Sequence, residues 1–379
     1  MIRISGSKAT WQPWRVGVLF SRTGPMSIIE ETQLRGTLLA IEEINERGGI
    51  DGRELVPIIY DPASEDELYA HLARKLLTEH GITNIFGCYR SSSRKAVLPI
   101  VERLNGLLWY PTLYEGFEYS PNVIYTGAAP NQNSVDLCDY LLENVGKRFY
   151  FIGSDYIYPR RSNRIMRNLL RRRGGEVVGE TYIKLNARHR DFIPVVARIK
   201  ALRPDVIFST VVGEATVSLY QVYADMGLDP GRMPIASLTT TETEIRAMGG
   251  DVGKGHITSA PYFQSLDGPN NRLFVEKFKK HFGHDEPTNM CAEAAYFQVQ
   301  MFAQALCVAN SMDTDLLRSL ALAQTIEAPQ GPVSINPKYG QANVWSRIGR
   351  VTHLGQFEIL RQSMAAVNAD PYMMDLSCA

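Results

Sequence analysis

The chain has 379 residues, and its 40 Lys and Arg residues balance its 40 Asp and Glu residues, so the formal net charge at pH 7 is zero. This balance excludes a global attraction to nucleic acids or anionic membranes, and the length favours two domains over one core. The five cysteines are odd in number and widely spaced, which indicates reduced thiols rather than a disulfide framework or a metal cluster. Residues 1–15 contain no apolar signal segment, and no run of about 18 apolar residues occurs. We therefore expect a cytoplasmic protein, unless a signal peptide was removed, in which case it is periplasmic.

Short β-rich runs alternate with amphipathic helical stretches along most of the chain. The first series predicts strands at 16–20, 55–60, 85–87, 107–110 and 123–125. The second predicts strands at 150–153, 177–183, 206–210 and 234–237. Two apolar helices at 271–281 and 292–309, a Pro- and Gly-bearing segment at 328–340, and strands at 344–351 and 356–360 complete the chain. This alternation predicts the α/β class, with two mostly parallel sheets that carry helices on both faces.

Hydroxyl and aromatic side chains follow four of the predicted strands. In open α/β sheets, ligands bind beyond the carboxyl ends of the strands, where helix N-termini present free N–H groups. Hydroxyls and tyrosines suit a small ligand with a polar end and little charge, although packing of each ring between loop and sheet is the structural alternative. The loops concerned are 88–93, 111–119, 154–159 and 238–242.

Two of these loops contain helix-capping candidates as well as ligand candidates. Among Ser91, Ser92 and Ser93, one is expected to cap the following helix, which leaves another for the ligand. In 238–242, Thr240 or Thr241 is expected to be the N-cap, and Thr239 is the ligand candidate.

Motifs for cofactor chemistry are missing. There is no nucleophile elbow and no dinucleotide fingerprint, and residues 249–255 lack the spacing of a phosphate-binding loop. His281 and His284 have no third metal ligand nearby, so a solvated helix end is favoured over a metal site. We expect no cofactor and no metal.

An amide hydrolase is the enzyme alternative. Cys88 is the candidate nucleophile, with Lys95 and Glu115 as helpers, but no base stands at local spacing. We therefore expect a binding protein rather than an enzyme.

Seven arginines lie between Arg160 and Arg173. Their spacing distributes them around a helix, which favours a solvated surface. Docking of a protein or nucleic-acid partner is the alternative.

Several longer motifs carry a family resemblance. NERGGIDGREL (45–55) resembles a turn of the leucine/isoleucine/valine-type periplasmic binding proteins, the type I binding-protein fold. More specific motifs resemble short-chain amide sensors of bacterial aliphatic amidase operons and the related urea and amide binding proteins of ABC transporters. These motifs lie at 86–102, 110–134, 151–160, 206–213, 234–242, 327–333 and 370–373.

The resemblance implies two doubly wound lobes joined by three crossovers, with the ligand cleft between the lobes. It assigns residues 1–127 and about 262–330 to the first lobe, and 128–261 and about 331–379 to the second. It also implies that an open form closes around a bound ligand.

The same resemblance implies which side chains contact the ligand, a short-chain aliphatic amide or urea. They are Tyr89, Ser91, Tyr110, Thr112, Tyr156, Tyr158 and Thr239. Residues Arg90, Ser92 and Ser93 depart from the family pattern, and Leu113 lies beside the expected pocket.

The function implied first is a cytoplasmic sensor that holds an RNA-binding transcription antiterminator until an amide binds, without itself contacting nucleic acid or a membrane. The absence of a signal segment and the stretch 344–362 favour this hypothesis. The alternative is the substrate-binding protein of a urea or amide ABC transporter. The sequence leaves the oligomeric state, including a homo-oligomer, open.

Overall fold

The computed structural model describes residues 12–374, so residues 1–11 and 375–379, with Cys378 among them, lie outside the described residues. Helices and strands alternate through most of this range. In chain order they are β1 (Trp14–Leu19), α1 (Ser27–Glu46), β2 (Leu55–Tyr60), α2 (Asp66–Thr78), β3 (Asn84–Gly87), α3 (Ser91–Arg103), β4 (Leu107–Tyr110), β5 (Val123–Tyr125), α4 (Pro130–Asn144), β6 (Arg148–Ser154), α5 (Ile157–Arg173), β7 (Glu176–Ile183), α6 (His189–Leu202), β8 (Val206–Thr210), α7 (Glu214–Asp225), β9 (Ile235–Ser237), α8 (Glu242–Met248), α9 (Gly250–Gly253), β10 (Ile257–Ala260), α10 (Pro269–Phe282), α11 (Met290–Ala309), α12 (Thr314–Leu322), β11 (Thr325–Ala328), β12 (Gly331–Asn336), β13 (Gln341–Asn343), β14 (Arg347–Val351) and β15 (Phe357–Gln362).

Two separate sheets form the cores of two lobes. The first sheet has the strand order β11-β12-β13-β5-β4-β3-β1-β2, and the second has β15-β14-β10-β9-β8-β6-β7. Strands β1 to β5 pair in parallel, as do β6 to β10, whereas the later hairpin strands pair antiparallel. The predicted α/β class with two mostly parallel, doubly wound lobes is confirmed.

The central strands are apolar because helices cover both faces of each sheet. Every residue of β3, β4, β5, β8 and β9 is buried. In the first lobe, Trp109 and Phe86 both pack edge-on against Phe302 of α11, with ring centroids 5.8 and 5.4 Å away. This packing fixes the carboxyl ends of β3 and β4 relative to each other.

The chain passes between the two sheets three times: after β5, after β10 and after β13. The third passage differs from the sequence prediction, which placed residues from 331 onward in the second lobe. Strands β12 and β13 belong to the first sheet, because β12 pairs with β11 and Gln341 of β13 pairs with Tyr125 of β5. The passage to the second lobe therefore follows Asn343.

The strands at 55–60, 107–110, 123–125 and 206–210 coincide with their predicted bounds. Four strands were not predicted: β10, β11, β12 and β13, of which β12 lies within the Pro- and Gly-bearing segment at 328–340. Glycine at the first residue of β12 and the short length of β13 conceal these two strands, and β13 also pairs with Tyr125 of β5, which is distant in sequence. None of the helices within residues 12–374 has the length and apolar character that crossing a bilayer requires.

Candidate functional site

A small, partly open cavity lies between the lobes. Loops after β3 and β4 supply one wall, and loops after β6, β8 and β9 supply the other. The strand ends of both sheets therefore meet at this cavity, as expected for an open α/β fold. The lining residues are Tyr89, Ser91, Thr112, Leu113, Tyr156, Tyr158, Val212 and Thr239.

Ser91 begins α3 at the cavity. Its Oγ donates a hydrogen bond to the Glu115 carboxylate, and it accepts one from Nη1 of Arg94 at 3.4 Å. The expectation that a serine caps α3 was wrong, because the N-cap is Arg90 and no side chain caps this helix. Ser93 instead donates to the Arg90 carbonyl.

Thr112 and Leu113 follow β4. Thr112 is buried, and its Oγ1 accepts a hydrogen bond from Nε2 of Gln33 at 2.8 Å and donates to the Cys88 carbonyl at 3.3 Å. Gln33 lies on α1, so a helix remote in sequence fixes this hydroxyl. Sequence analysis did not identify this role of Gln33, since the two residues are 79 positions apart.

The second lobe contributes two tyrosines from the start of α5. Tyr156 is the N-cap residue of this helix, and the rings of Tyr156 and Tyr158 are 6.3 Å apart. The Tyr158 hydroxyl is buried without a hydrogen bond of normal geometry, although Ser162 lies beside it. Burial raises the pKa of Tyr158, and also of Tyr156 and Tyr89, so all three rings stay neutral.

Thr239 lies after β9, and its Oγ1 donates to the Val211 carbonyl at 2.7 Å. The predicted N-cap Thr241 is confirmed, because its Oγ1 accepts from the Thr243 N–H at the start of α8. Val212 lines the cavity but was not singled out from the sequence. It lies just beyond β8, so the strand-end rule that selected the other loops also applies to it.

Tyr110 is the one predicted ligand residue that does not line the cavity. It is fully buried, and its hydroxyl donates to the Tyr89 carbonyl at 2.7 Å. Its ring lies under the Arg94 guanidinium, 4.8 Å from the ring centroid. Tyr110 therefore supports the loop that bears Tyr89 instead of facing the cavity.

A charged cluster lies directly behind Ser91. The fully buried Arg94 donates to Glu115 from Nη2 at 3.3 Å and to Glu118 from Nε at 2.7 Å. Burial opposes ionisation of Glu118, but Arg94 and Lys95 outweigh it and lower the pKa of Glu118 to about 2. The charges of this cluster are thus paired with one another behind the cavity wall. No ionisable group other than tyrosine lines the cavity.

The residues of the enzyme alternative are not arranged for catalysis. Burial raises the pKa of the Cys88 thiol well above its ordinary value, so it lacks the thiolate needed for attack. Lys95 pairs with Glu118, and Glu115 with Ser91 and Arg94. Cys88, Cys138 and Cys291 are buried free thiols, and Cys307 is an exposed one.

The remaining sequence candidates lie away from the cavity. His281 pairs with Glu42 at 3.1 Å and His284 with Asp285 at 3.5 Å. Within residues 12–374, no group of three or more His, Cys, Asp or Glu side chains is arranged to hold a metal. Several arginines of 160–173 pair with acidic neighbours, as Arg160 does with Asp155 at 2.7 Å.

Comparison with known proteins identifies the family. A family model described as a periplasmic binding protein domain matches residues 14–377. The chain belongs to the periplasmic binding protein family. A Leu/Ile/Val-binding protein homologue of Brucella melitensis is 25% identical over 334 residues, covering 86% of this chain and 84% of that protein. A leucine-, isoleucine-, valine-, threonine- and alanine-binding protein of Pseudomonas aeruginosa is 24% identical over 328 residues, covering 83% and 84%.

A solved structure supports the fold assignment. The solute-binding protein of an ABC transporter from Rhodopseudomonas palustris, in complex with 3,4-dihydroxybenzoic acid, superposes with a TM-score of 0.84 at 21% identity, covering 94% of this chain and 98% of that one. Membership of the periplasmic binding protein family is thus confirmed, and the predicted resemblance to the Leu/Ile/Val-type binding proteins is supported by the two relatives. These relatives are named as binding proteins.

Proposed function

We propose that this periplasmic binding protein is the solute-binding component of an ABC-type transport system and closes on urea or a short-chain aliphatic amide. Its relatives and the superposed solute-binding protein support the transport role. A transport role of this kind places the protein outside the cytoplasm. The amide assignment rests on the cavity and on the sequence motifs around it.

The uncharged lining of the cavity is the observation that carries this proposal. Its side chains are three tyrosines, a serine, two threonines, a leucine and a valine. An amino-acid zwitterion or a carboxylate needs a charged or strongly polar partner when it loses water. No charged side chain lines this cavity, so a neutral polar molecule fits better than the amino acids for which the relatives are named.

The cavity volume also favours a small ligand. Drug-sized ligands occupy pockets of roughly 300–1,000 Å³, whereas this cavity leaves only about 10 Å³ for the centre of a water-sized molecule. Urea and acetamide have few heavy atoms and combine N–H donors with one carbonyl acceptor. These features match a small cavity surrounded by hydroxyl groups.

The position of the cavity between the lobes supplies the mechanism. Ser91 and Thr112 belong to the first lobe, and Tyr158 and Thr239 to the second. Only the closed arrangement brings both sets onto one molecule. A ligand that contacts both lobes therefore stabilises the closed form relative to the open form, and a partner that distinguishes the two forms detects the ligand.

Titration calorimetry with acetamide, propionamide, butyramide, urea, leucine and benzoate tests the ligand class. We expect the amides or urea to bind and leucine and benzoate to fail. Ser91→Ala and Thr112→Ala should each weaken binding by about tenfold, because each removes one buried hydrogen bond. Ser93→Ala is the matched control, since Ser93 lies in the same first turn of α3, donates to the Arg90 carbonyl and does not line the cavity.

Uptake of radiolabelled urea and acetamide by a strain lacking the gene tests the transport role. Loss of uptake supports the proposal. Normal uptake combined with altered amidase expression would instead support the sensor. Binding of leucine but of no amide or urea would refute the ligand class.

A further inference from the structure

The hydrogen-bond polarity of the same cavity narrows the ligand further, in a step that rests on the proposed function. The Ser91 hydroxyl offers the ligand an acceptor and no donor. It donates its proton to Glu115, and one of its lone pairs accepts a hydrogen bond from Nη1 of Arg94. A serine hydroxyl has one donor and two acceptor lone pairs, so one lone pair remains for the cavity.

Thr112 has the same pattern. Its proton is donated to the Cys88 carbonyl, and one lone pair accepts from Gln33. One lone pair therefore remains on Thr112 as well.

Thr239 completes the set. Its proton is donated to the Val211 carbonyl. Ser237 Oγ lies 3.2 Å away and already accepts from the N–H groups of Thr239 and Thr240. The Ser237 proton therefore points to Thr239 Oγ1, and Thr239 retains one lone pair for the cavity.

Tyr158 has the opposite polarity. Tyr158 lines the cavity, and its hydroxyl is buried without a hydrogen bond of normal geometry. The neighbouring Ser162 can donate to the Tyr158 oxygen but leaves the Tyr158 proton without an acceptor. Such a group incurs the full cost of desolvation until it finds a partner. A carbonyl oxygen of the ligand can accept its proton.

We infer that the cavity recognises its ligand through N–H donors directed at Ser91, Thr112 and Thr239 and one acceptor directed at Tyr158, and that Glu115 determines this specificity by fixing the Ser91 proton. Glu115 is a positioning residue, because it acts on the ligand only through Ser91. A carboxylate has acceptors alone, so its oxygens would face the lone pairs of these hydroxyls. A primary amide or urea supplies both kinds of group.

Glu115→Gln reverses the polarity of Ser91 without a large change in shape. Arg94 Nη2 donates to Glu115 Oε1, so the glutamine oxygen must keep that position. The glutamine NH₂ group then faces Ser91 and donates to it. Because Arg94 and the introduced amide then both donate to Ser91, its proton turns to the cavity and favours a ligand acceptor.

Binding of ligands of equal size to the wild-type protein tests the hydrogen-bond polarity of the cavity. Acetamide, acetone and acetate each have four heavy atoms, and only acetamide has N–H donors. We expect acetone and acetate to bind at least about 100-fold more weakly than acetamide, because sites built for N–H donors strongly reject analogues that lack them. Propionamide and N-methylacetamide, with two and one N–H groups, form a second pair in which propionamide should bind more tightly.

The decisive measurement is the ratio of acetamide to acetate affinity in Glu115→Gln. We expect this ratio to fall at least about tenfold, since one hydrogen bond of the site changes direction. Glu118→Gln is the matched control: it removes a carboxylate that also pairs with Arg94 but does not contact Ser91. The ratio of acetamide to acetate affinity in Glu118→Gln should match that of the wild type. A merely structural effect on the ion pairs of Arg94 would change the ratio equally in both variants.

The outcomes separate this inference from the proposed function. If neither acetamide nor urea binds the wild type, the ligand class is wrong and the inference fails with it. If they bind but acetone or acetate binds within tenfold of acetamide, only the inference is wrong. An unchanged ratio in Glu115→Gln, or an equal fall in Glu118→Gln, likewise overturns the role of Glu115 alone.

Discussion

Arg246 of α8 and Glu286, which lies between α10 and α11, form an ion pair across the two lobes, with 2.7 Å between Nη1 and Oε1. Arg35 of α1 holds the same carboxylate from within the first lobe at 2.8 Å. The side chains of Arg246 and Glu286 are 47% and 25% exposed, so this pair is only partly shielded from solvent. It stabilises the closed arrangement, in which the cavity is complete.

Arg246→Gln should therefore shift the lobes toward the open form. Partly exposed ion pairs contribute about 0.2–1 kcal/mol, so we expect ligand affinity to fall about two- to fivefold. The effect should diminish in high salt, which screens exposed charges. Calorimetry at two salt concentrations measures both results.

Arg350→Gln is the control for this prediction. Arg350 pairs with Glu358 at 3.1 Å within the second lobe, between two neighbouring strands. Its loss should leave ligand affinity unchanged. Equal effects of the two substitutions would show that the Arg246 pair does not act on lobe closure.

Gly213 marks a second close approach of the lobes. It follows β8, and a Cβ atom built there would lie 2.5 Å from the Pro25 carbonyl oxygen of the first lobe. Gly213→Ala should hold the lobes apart and reduce ligand affinity at least about tenfold, because the closed form that binds the ligand becomes less populated. Calorimetry and small-angle X-ray scattering, which measures opening, test this result.

A positive φ at Gly213 adds backbone strain that must be separated from the contact between lobes. Gly249, between α8 and α9, has φ 92° and ψ 143°, outside the left-handed helical region like Gly213 with φ 65° and ψ −148°, and a Cβ atom there meets nothing within 4 Å. Gly249→Ala therefore carries comparable backbone strain, on the order of 1–3 kcal/mol, without an interlobe clash. The prediction fails if both variants lose the same affinity.

The sequence was sufficient for most of the parallel strands and for the loops that follow them, because both depend on local patterns. Thr112 and Thr239 could be selected as hydroxyls beyond strand ends. The direction of their hydrogen bonds could not be predicted, because it depends on Gln33 of α1 and on the carbonyl of Val211. These partners are brought together only by the folded lobes.

Tyr110 shows the limit of selecting residues by proximity to a strand end. It is the last residue of β4, and its ring packs against Arg94 and Tyr125 inside the first lobe. Side chains alternate between the two faces of a strand, so a shift of one position changes which face a residue occupies. Tyr110 faces the side of the sheet on which Arg94 of α3 packs, whereas Thr112 beyond the strand reaches the cavity.

Tyr158→Phe should have opposite effects on stability and on binding. The hydroxyl is buried without a well-formed hydrogen bond in the ligand-free protein, so its removal should leave the free energy of unfolding unchanged or raise it by up to about 1 kcal/mol. The carbonyl oxygen of the ligand would lose the Tyr158 hydroxyl as its hydrogen-bond donor, so ligand affinity should fall about tenfold. Denaturant unfolding without ligand and calorimetry with acetamide or urea measure the two effects.

Tyr220→Phe is the matched control for this substitution. Tyr220 is fully buried, and its hydroxyl bonds to Thr240 Oγ1 at 3.0 Å, away from the cavity. Its loss should destabilise the fold by about 1 kcal/mol and leave ligand affinity unchanged. A marked loss of stability in Tyr158→Phe would indicate that its hydroxyl already has a structural partner.

Glu242, the first residue of α8, makes stability depend on pH. Its carboxylate accepts the Gln264 N–H at 2.7 Å, but burial, with a further contribution from Glu244, raises its pKa to about 8. The ordinary value is 4.5. Between these two values the folded protein holds a proton that the unfolded chain has released, so the free energy of unfolding decreases as pH rises.

Glu242→Gln should therefore become progressively more stable relative to the wild type between pH 5 and pH 8. The gain should be on the order of 1 kcal/mol per pH unit within this window, since one unit of pKa difference corresponds to about 1.4 kcal/mol. Denaturant unfolding at pH 5, 6, 7 and 8 measures it. Glu358→Gln, an exposed carboxylate paired with Arg350, should give a profile parallel to the wild type. A parallel profile for Glu242→Gln as well would mean that Glu242 is ionised in the folded protein throughout this range.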